Sequence, residues 1–145
     1  MKNRTAFRRG ARWWAGIGLL VAAVLYFLGA PLVDGADGAL LGGGLTVSQG
    51  AVMRSLAILD VIAGLWVLIR PRTSPALTAA AAGLIALWLS PRLSAPAPLD
   101  LGALAIDIRF VVHPIEVVVI VAAVSIVVSS VANGFRSRAR AGQRG

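Results

Sequence analysis

Apolar and polar positions follow one another along the chain in long blocks. Four blocks are nearly free of charge, and short charged segments separate them. A helix needs about 20 mostly apolar residues to cross the hydrocarbon core of a bilayer. The pattern therefore predicts four transmembrane helices, over residues 13–33, 51–69, 75–89 and 114–133. The third, at about 15 residues, is short for a span.

The segments between these blocks complete the predicted architecture. Two longer loops cover residues 34–50 and 90–113, and two basic tails cover residues 1–12 and 134–145. The first loop is rich in glycine, which predicts a flexible hairpin, and the second carries three prolines, which predict an exposed loop. The expected fold is an all-α four-helix bundle forming a single membrane domain over residues 1–145.

The charges are distributed unevenly between the two sides of this bundle. The tails and the second-to-third connection contain most of the 14 basic residues and no acidic residue: Lys2, Arg4, Arg8, Arg9, Arg12, Arg70, Arg72, Arg136, Arg138, Arg140 and Arg144. Four of the six acidic residues lie in the other two loops. Because basic loops stay on the cytoplasmic side, we expect a multi-pass protein of the cytoplasmic membrane with both termini inside.

Composition excludes several classes of protein. Apolar residues make up 58% of the chain and charged residues 14%, too apolar for a soluble enzyme. The absence of cysteine excludes disulfides, thiolate metal sites and thiol catalysis, and a single histidine excludes a bis-histidine haem. We therefore expect no enzymatic activity, cofactor or bound metal. The basic residues flank membrane spans, so nucleic acid is not an expected partner. Abundant alanine, glycine and arginine are typical of high-GC bacteria.

Asp60 is the strongest candidate for a functional residue. It lies close to the middle of the second predicted helix, and an ionisable group there costs about 2.5–3.5 kcal/mol on insertion scales. Two interpretations are open. Asp60 is either a proton-relay or ligand-contacting carboxylate, or a hydrogen-bonded acid that locks its helix to a neighbour.

Three further ionisable residues fall within or beside the predicted spans. Arg54 lies near the outer end of the second helix, where its side chain can extend to the interface, and its angular offset argues against a pair with Asp60. His113 and Glu116 are three residues apart. Pro114 suits the first position of a helix, which predicts that His113 caps the fourth helix and Glu116 lies in its first turn, near the outer interface.

Two alternatives for this pair remain open. His113 and Glu116 supply two metal ligands, and Asp60 could add a third only if its depth in the membrane matched, which we do not expect. Alternatively, Arg54, His113 and Glu116 form a polar cluster at the outer leaflet, which His113 would make sensitive to external pH.

Small residues at helical spacing predict helix-packing surfaces. Gly64 lies one turn from Asp60, and two small-xxx-small steps join Ala79 to Gly83 and Ser125 to Ser129. Such residues let helix backbones approach closely in a membrane.

The stretch from Leu56 to Arg72, followed by an Ala-rich helix, resembles the DoxX-like family of small four-span membrane proteins. Asp60 stands at the family's acidic position, Gly64-Leu65 at its Gly-Leu step, and the run 107–110 is similar to the segment before its fourth helix. By this resemblance alone, we expect an accessory subunit of a redox- or quinone-linked system.

These observations favour an accessory, assembly or stabilising subunit that packs against another integral membrane protein or a second copy of itself. The loops are too small for a catalytic domain, which supports a role of this kind. The alternative is a small proton-coupled transporter built around Asp60. A third candidate is a quinone-contacting subunit whose partner supplies the cofactor.

Overall fold

The computed structural model describes residues 2–34, 39–40, 46–70, 73–93, 96–100 and 105–142. This part of the chain contains four long helices: α1 (Lys2–Gly29), α2 (Gln49–Ile69), α3 (Thr73–Leu89) and α4 (Ile108–Gly142). Short 3-10 helices, Ala30–Val33 and Ser90–Arg92, follow α1 and α3. The predicted basic tails are helical as far as they are described, since α1 begins at Lys2 and α4 ends at Gly142.

Two small antiparallel sheets accompany the helices, which the all-α prediction did not include. Strands β1 (Ala39–Leu40) and β2 (Thr46–Val47) pair between α1 and α2. Strands β3 (Pro98–Asp100) and β4 (Ala105–Asp107) pair between α3 and α4, with Leu99 opposite Ile106. Each predicted loop therefore contains a pair of short strands.

Neighbouring helices run antiparallel. Gly16 and Gly64 bring α1 against α2, Gly18 of α1 lies against Val119 of α4, and α3 packs on α4. One end of the bundle, the termini end, holds the start of α1, the α2–α3 connection and the end of α4. The other end, the hairpin end, holds the two sheets.

Three helices are long and apolar enough to cross a membrane: Arg9–Val33, Gln49–Ile69 and Ile108–Asn133. The third predicted span, over residues 75–89, corresponds to α3, which is apolar but has only 17 residues. Large apolar side chains cover the outside of the bundle, with Trp14 69% and Phe27 65% exposed. A surface of this kind requires an apolar surrounding, and the chain is a membrane protein.

The interior divides into two apolar clusters. The hairpin-end core includes Ala22, Tyr26, Met53, Leu56 and Val112, and the termini-end core includes Leu19, Ala63, Val67, Ala79 and Val119. Small alanine side chains are frequent in both clusters and allow the helices to pack closely. Polar groups buried between the two cores are therefore surrounded by apolar side chains.

Helix α4 begins six residues earlier than the sequence predicts. The carboxylate of Asp107 accepts a hydrogen bond from the backbone N–H of Arg109 at 3.1 Å, so Asp107 caps the helix that starts at Ile108. The side chain of Ser48 caps α2 in the same way, accepting from the backbone N–H of Ala51 at 3.2 Å. The earlier start of α4 determines how deep its polar residues lie.

Candidate functional site

Asp60 lies inside the bundle, between the two apolar cores. It is eleven residues beyond the start of α2 at Gln49, or about 16 Å along the axis. Its side chain is 1% exposed, and Ala57 and Ala63 of the same helix belong to the hairpin-end and termini-end cores respectively. The carboxylate is therefore removed from both water and lipid.

Glu116 is buried at a similar depth on α4. It lies eight residues beyond Ile108, about 12 Å from the hairpin end, and is 1% exposed. The hydroxyl of Tyr26, on α1, donates a hydrogen bond to Glu116 Oε1. Tyr26 is itself 3% exposed. This hydrogen bond joins α1 to α4 within the apolar interior.

Asp60, Glu116 and Tyr26 form one site, which we name the carboxylate cluster. Asp60 and Glu116 are each 1% exposed and lie at similar depths in the bundle, and Tyr26 is hydrogen-bonded to Glu116. Among the described residues, neither oxygen of Asp60 has a hydrogen-bond partner, nor does Oε2 of Glu116. Buried polar groups are usually hydrogen-bonded, so three unpaired carboxylate oxygens are exceptional.

In the described part of the chain, neither carboxylate is paired with a cation. The two ion pairs found there lie near the hairpin end: Arg54 with Asp34, and Arg109 with Asp107. In the second pair, Arg109 Nε lies 3.0 Å from Asp107 Oδ2, and the guanidinium also donates to the Leu93 carbonyl at 2.8 Å. Hydrogen bonding to Arg109 lowers the pKa of Asp107.

The structure corrects the prediction for the start of the fourth helix. Pro114 lies inside α4, not at its first position, and Asp107, not His113, is the cap. Glu116 consequently lies more than two turns into the helix. The predicted difference in depth between Glu116 and Asp60 was therefore wrong, because it assumed a helix that began at Pro114.

The predicted outer cluster of Arg54, His113 and Glu116 is not formed. Arg54 extends from α2 to Asp34 at the end of the preceding 3-10 helix. The Nδ1 atom of His113 lies 3.0 Å from the hydroxyl of Ser90, on the exposed side of α4. Each of the three residues therefore has a different partner, and Glu116 turns inward.

Because His113 and Glu116 bond to different residues, they do not form the pair of metal ligands considered from the sequence. The described residues contain no group of three or more histidine, aspartate or glutamate side chains placed to hold a metal ion. The carboxylate cluster instead offers two carboxyl groups and one phenol. Groups of this kind bind and release protons.

The predicted packing residues occupy different surfaces. A side chain at Gly64 would lie 3.0 Å from the Gly16 carbonyl, where α2 crosses α1. Gly83 is buried against Ile120 of α4, and Ala79 belongs to the termini-end core. The two serines are partly buried and bond within their own helix: Ser125 Oγ donates to the Val121 carbonyl, and Ser129 Oγ to the Ile126 carbonyl.

Tyr26 was not among the residues singled out in the sequence. One signal could have identified it: Tyr26 is the only tyrosine of the chain, and it lies in an otherwise apolar predicted span. A buried tyrosine hydroxyl usually finds a hydrogen-bond partner. The sequence does not show which helix provides that partner.

Comparison of the chain with protein-family models, with curated proteins and with solved structures finds no match. The DoxX-like resemblance therefore remains a prediction based on the residues quoted above.

Proposed function

We propose that this protein is a small, non-enzymatic proton-coupled carrier of the cytoplasmic membrane, in which Asp60 and Glu116 bind the coupling proton. All four helices cross the bilayer in this proposal, with α3 as the shortest span. The termini end, with its basic residues, faces the cytoplasm. The observation that carries the proposal is the carboxylate cluster, which contains two buried carboxyl groups that have no cation among the described residues.

The energetics of burial support a proton at this site. An isolated carboxylate in an apolar interior is expensive, and two neighbouring carboxylates without a cation are more so. A proton on one of them removes a charge and supplies a donor for an unpaired oxygen. Tyr26 already donates to Glu116 Oε1, so Asp60, which has no hydrogen-bond partner among the described residues, is the carboxyl group that gains most from a bound proton.

The test is proton flux in liposomes that contain the purified protein and enclose a pH-sensitive dye. A potassium gradient with valinomycin supplies the driving potential. We expect the wild type to move protons and Asp60→Asn to fall to the rate of protein-free liposomes. Glu116→Gln should behave similarly, while its amide oxygen can still accept from Tyr26.

The matched control is Asp34→Asn, which removes an acidic residue from the exposed ion pair with Arg54. This variant should retain wild-type flux. Normal flux in Asp60→Asn, with the variant folded and inserted, would contradict the proposal. Equal loss in Asp34→Asn would also contradict it, because the effect would then not depend on the carboxylate cluster.

A second candidate is the accessory subunit, favoured by an apolar groove between α1 and α2. Its floor contains Ala23 and Ala57, and its rim includes Val24, Phe27, Ile58 and Ile62. Small residues at the base of a groove let a partner helix approach closely. In this role the hydrogen bond from Tyr26 to Glu116 holds α1 against α4 beside the docking surface.

Co-purification in mild detergent separates the two candidates. A stoichiometric membrane partner that is lost on Ala57→Leu, while a Leu65→Ala control retains it, would support the accessory role. Leu65 is 46% exposed on the same helix and does not line the groove. A protein that purifies alone and moves protons would support the carrier.

A further inference from the structure

The outward face of α3 is apolar over a short length. Leu77, Leu84, Ile85 and Trp88 are each between 44% and 56% exposed, and we name their surface the α3 face. From Leu77 to Trp88 the helix rises about 16 Å. The hydrocarbon core of a typical bilayer is about 30 Å thick. The α3 face is therefore about half as long as the core beside which it lies.

Polar groups bound the α3 face at both ends. At the termini end, Ser74 is exposed and lies three residues before Leu77, on the same side of the helix, and Arg70 is exposed before it. At the hairpin end, the hydroxyl of Ser90 lies 3.0 Å from Nδ1 of His113, which is exposed on α4. From Ser74 to Ser90 the rise is about 24 Å. Even the distance between the bounding polar groups is therefore shorter than a typical hydrocarbon core.

The exposed surface of α1 is longer. Large apolar side chains follow it from Trp13, which is 49% exposed, to Leu32, which is 50% exposed in the 3-10 helix after α1. The rise between these two residues is about 28 Å, close to the thickness of the hydrocarbon core. A bilayer that fits α1 is therefore too thick for α3. A tilt of α3 would not compensate, because tilting shortens the span of a helix along the membrane normal.

We propose that the α3 face is a lipid-contact site selective for phospholipids with short acyl chains, so that the bilayer is thinner beside α3 than beside α1. Short chains leave Ser74 and the pair of Ser90 and His113 at the level of the headgroups. Long chains surround the same polar groups with hydrocarbon, which is unfavourable. This inference rests on the four-span arrangement of the proposed function and does not depend on proton transport.

The test is tryptophan fluorescence in liposomes that contain brominated dioleoylphosphatidylcholine as the quencher. Dimyristoleoylphosphatidylcholine, a short-chain lipid, or dierucoylphosphatidylcholine, a long-chain lipid, is added as the competitor. One variant keeps Trp88 alone: Trp13→Phe/Trp14→Phe/Trp66→Phe. The matched control keeps Trp14 alone, which is 69% exposed on α1: Trp13→Phe/Trp66→Phe/Trp88→Phe. We expect the short-chain lipid to displace the quencher from Trp88 about fivefold better than the long-chain lipid, and the two to differ by less than about twofold at Trp14.

One substitution changes the length of the α3 face. Ser74→Leu extends it by three residues, or about 4.5 Å, on the side of Leu77. The preference for the short-chain lipid should then fall to about twofold at Trp88 and stay unchanged at Trp14. Equal displacement of the quencher by the two lipids at Trp88, or the same preference at Trp14, would overturn the proposal. A Trp88 that brominated lipid does not quench would do so as well, because another protein surface would then cover the α3 face.

Cysteine labelling tests the four-span arrangement separately. The chain contains no cysteine, so Arg70→Cys and Pro96→Cys each place a single thiol, one before α3 and one after it. A membrane-impermeant maleimide should reach the two thiols from opposite sides of the liposome membrane. Labelling from the same side would refute the four-span arrangement and this inference with it. Labelling from opposite sides, with equal displacement by the two lipids at Trp88, would refute the lipid preference alone.

Discussion

The hydrogen bond between Tyr26 and Glu116 can be tested by removing one oxygen atom. Tyr26→Phe deletes the hydroxyl and keeps the ring, which is 3% exposed and remains buried. Glu116 Oε2 already has no partner among the described residues, so the variant leaves both oxygens of a buried carboxyl group without this donor. The loss is therefore confined to one interaction between α1 and α4.

Two estimates bound the expected change in the free energy of unfolding. Hydrogen bonds between membrane helices contribute about 0.6 kcal/mol on average and up to about 1.7 kcal/mol. An unsatisfied buried polar group costs about 1–3 kcal/mol in proteins generally. Because both the lost bond and the unpaired Glu116 contribute here, we expect Tyr26→Phe to destabilise the protein by about 1–2 kcal/mol.

A double-mutant cycle isolates the pair from other effects. Glu116→Met removes the acceptor with a side chain of similar length, and the double variant completes the cycle. Unfolding is followed by far-UV circular dichroism as the fraction of denaturing detergent is raised in mixed micelles. The coupling energy should be about 1 kcal/mol for Tyr26 and Glu116. For the exposed pair Ser90 and His113, which water can replace, it should be below about 0.5 kcal/mol.

The reasoning is refuted if the two cycles give equal coupling energies. It is also refuted if Tyr26→Phe unfolds at the wild-type detergent fraction, because the buried hydroxyl would then contribute nothing to the contact between α1 and α4. A destabilised Tyr26→Phe without coupling to Glu116 would place the partner of the hydroxyl elsewhere.

Two further predictions concern the framework around the site. Gly64→Val should destabilise the protein by about 1–3 kcal/mol in the same detergent assay, because even a Cβ atom would lie 3.0 Å from the Gly16 carbonyl; Gly10→Ala, with open space around it, should not. Arg109 lowers the pKa of Asp107, so this carboxylate stabilises the fold above its unfolded pKa, and the contribution is lost as pH falls through the lower folded value. Asp107→Asn should therefore flatten the acid limb of the stability–pH profile, and an unchanged limb would exclude this role.

Sequence reasoning located the helices well and their polar contacts less well. The long apolar runs predicted all four helices, because the hydropathy of a segment depends only on the residues of that segment. The start of α4 was placed at Pro114 because proline is common at a first helical position. Asp107 caps the helix instead, and the proline is accommodated within it.

The partners of ionisable residues were harder to predict. Arg54 was expected to extend toward the interface, but its pairing with Asp34 depends on how the first connection folds. Tyr26 was overlooked because a single hydroxyl barely changes the hydropathy of its helix. In each case the missing information was which faces of two distant helices meet.

By itself the sequence determined that this is an apolar helical chain with most of its basic residues at one end, because hydrophobicity and charge add up locally along each segment. Only the tertiary structure decided that Tyr26 bonds to Glu116 and that Asp60 and Glu116 are both buried inside the bundle. This arrangement depends on the rotation of three helices about their axes and on the six residues that α4 gains at its start, which move Glu116 about 9 Å deeper into the bundle.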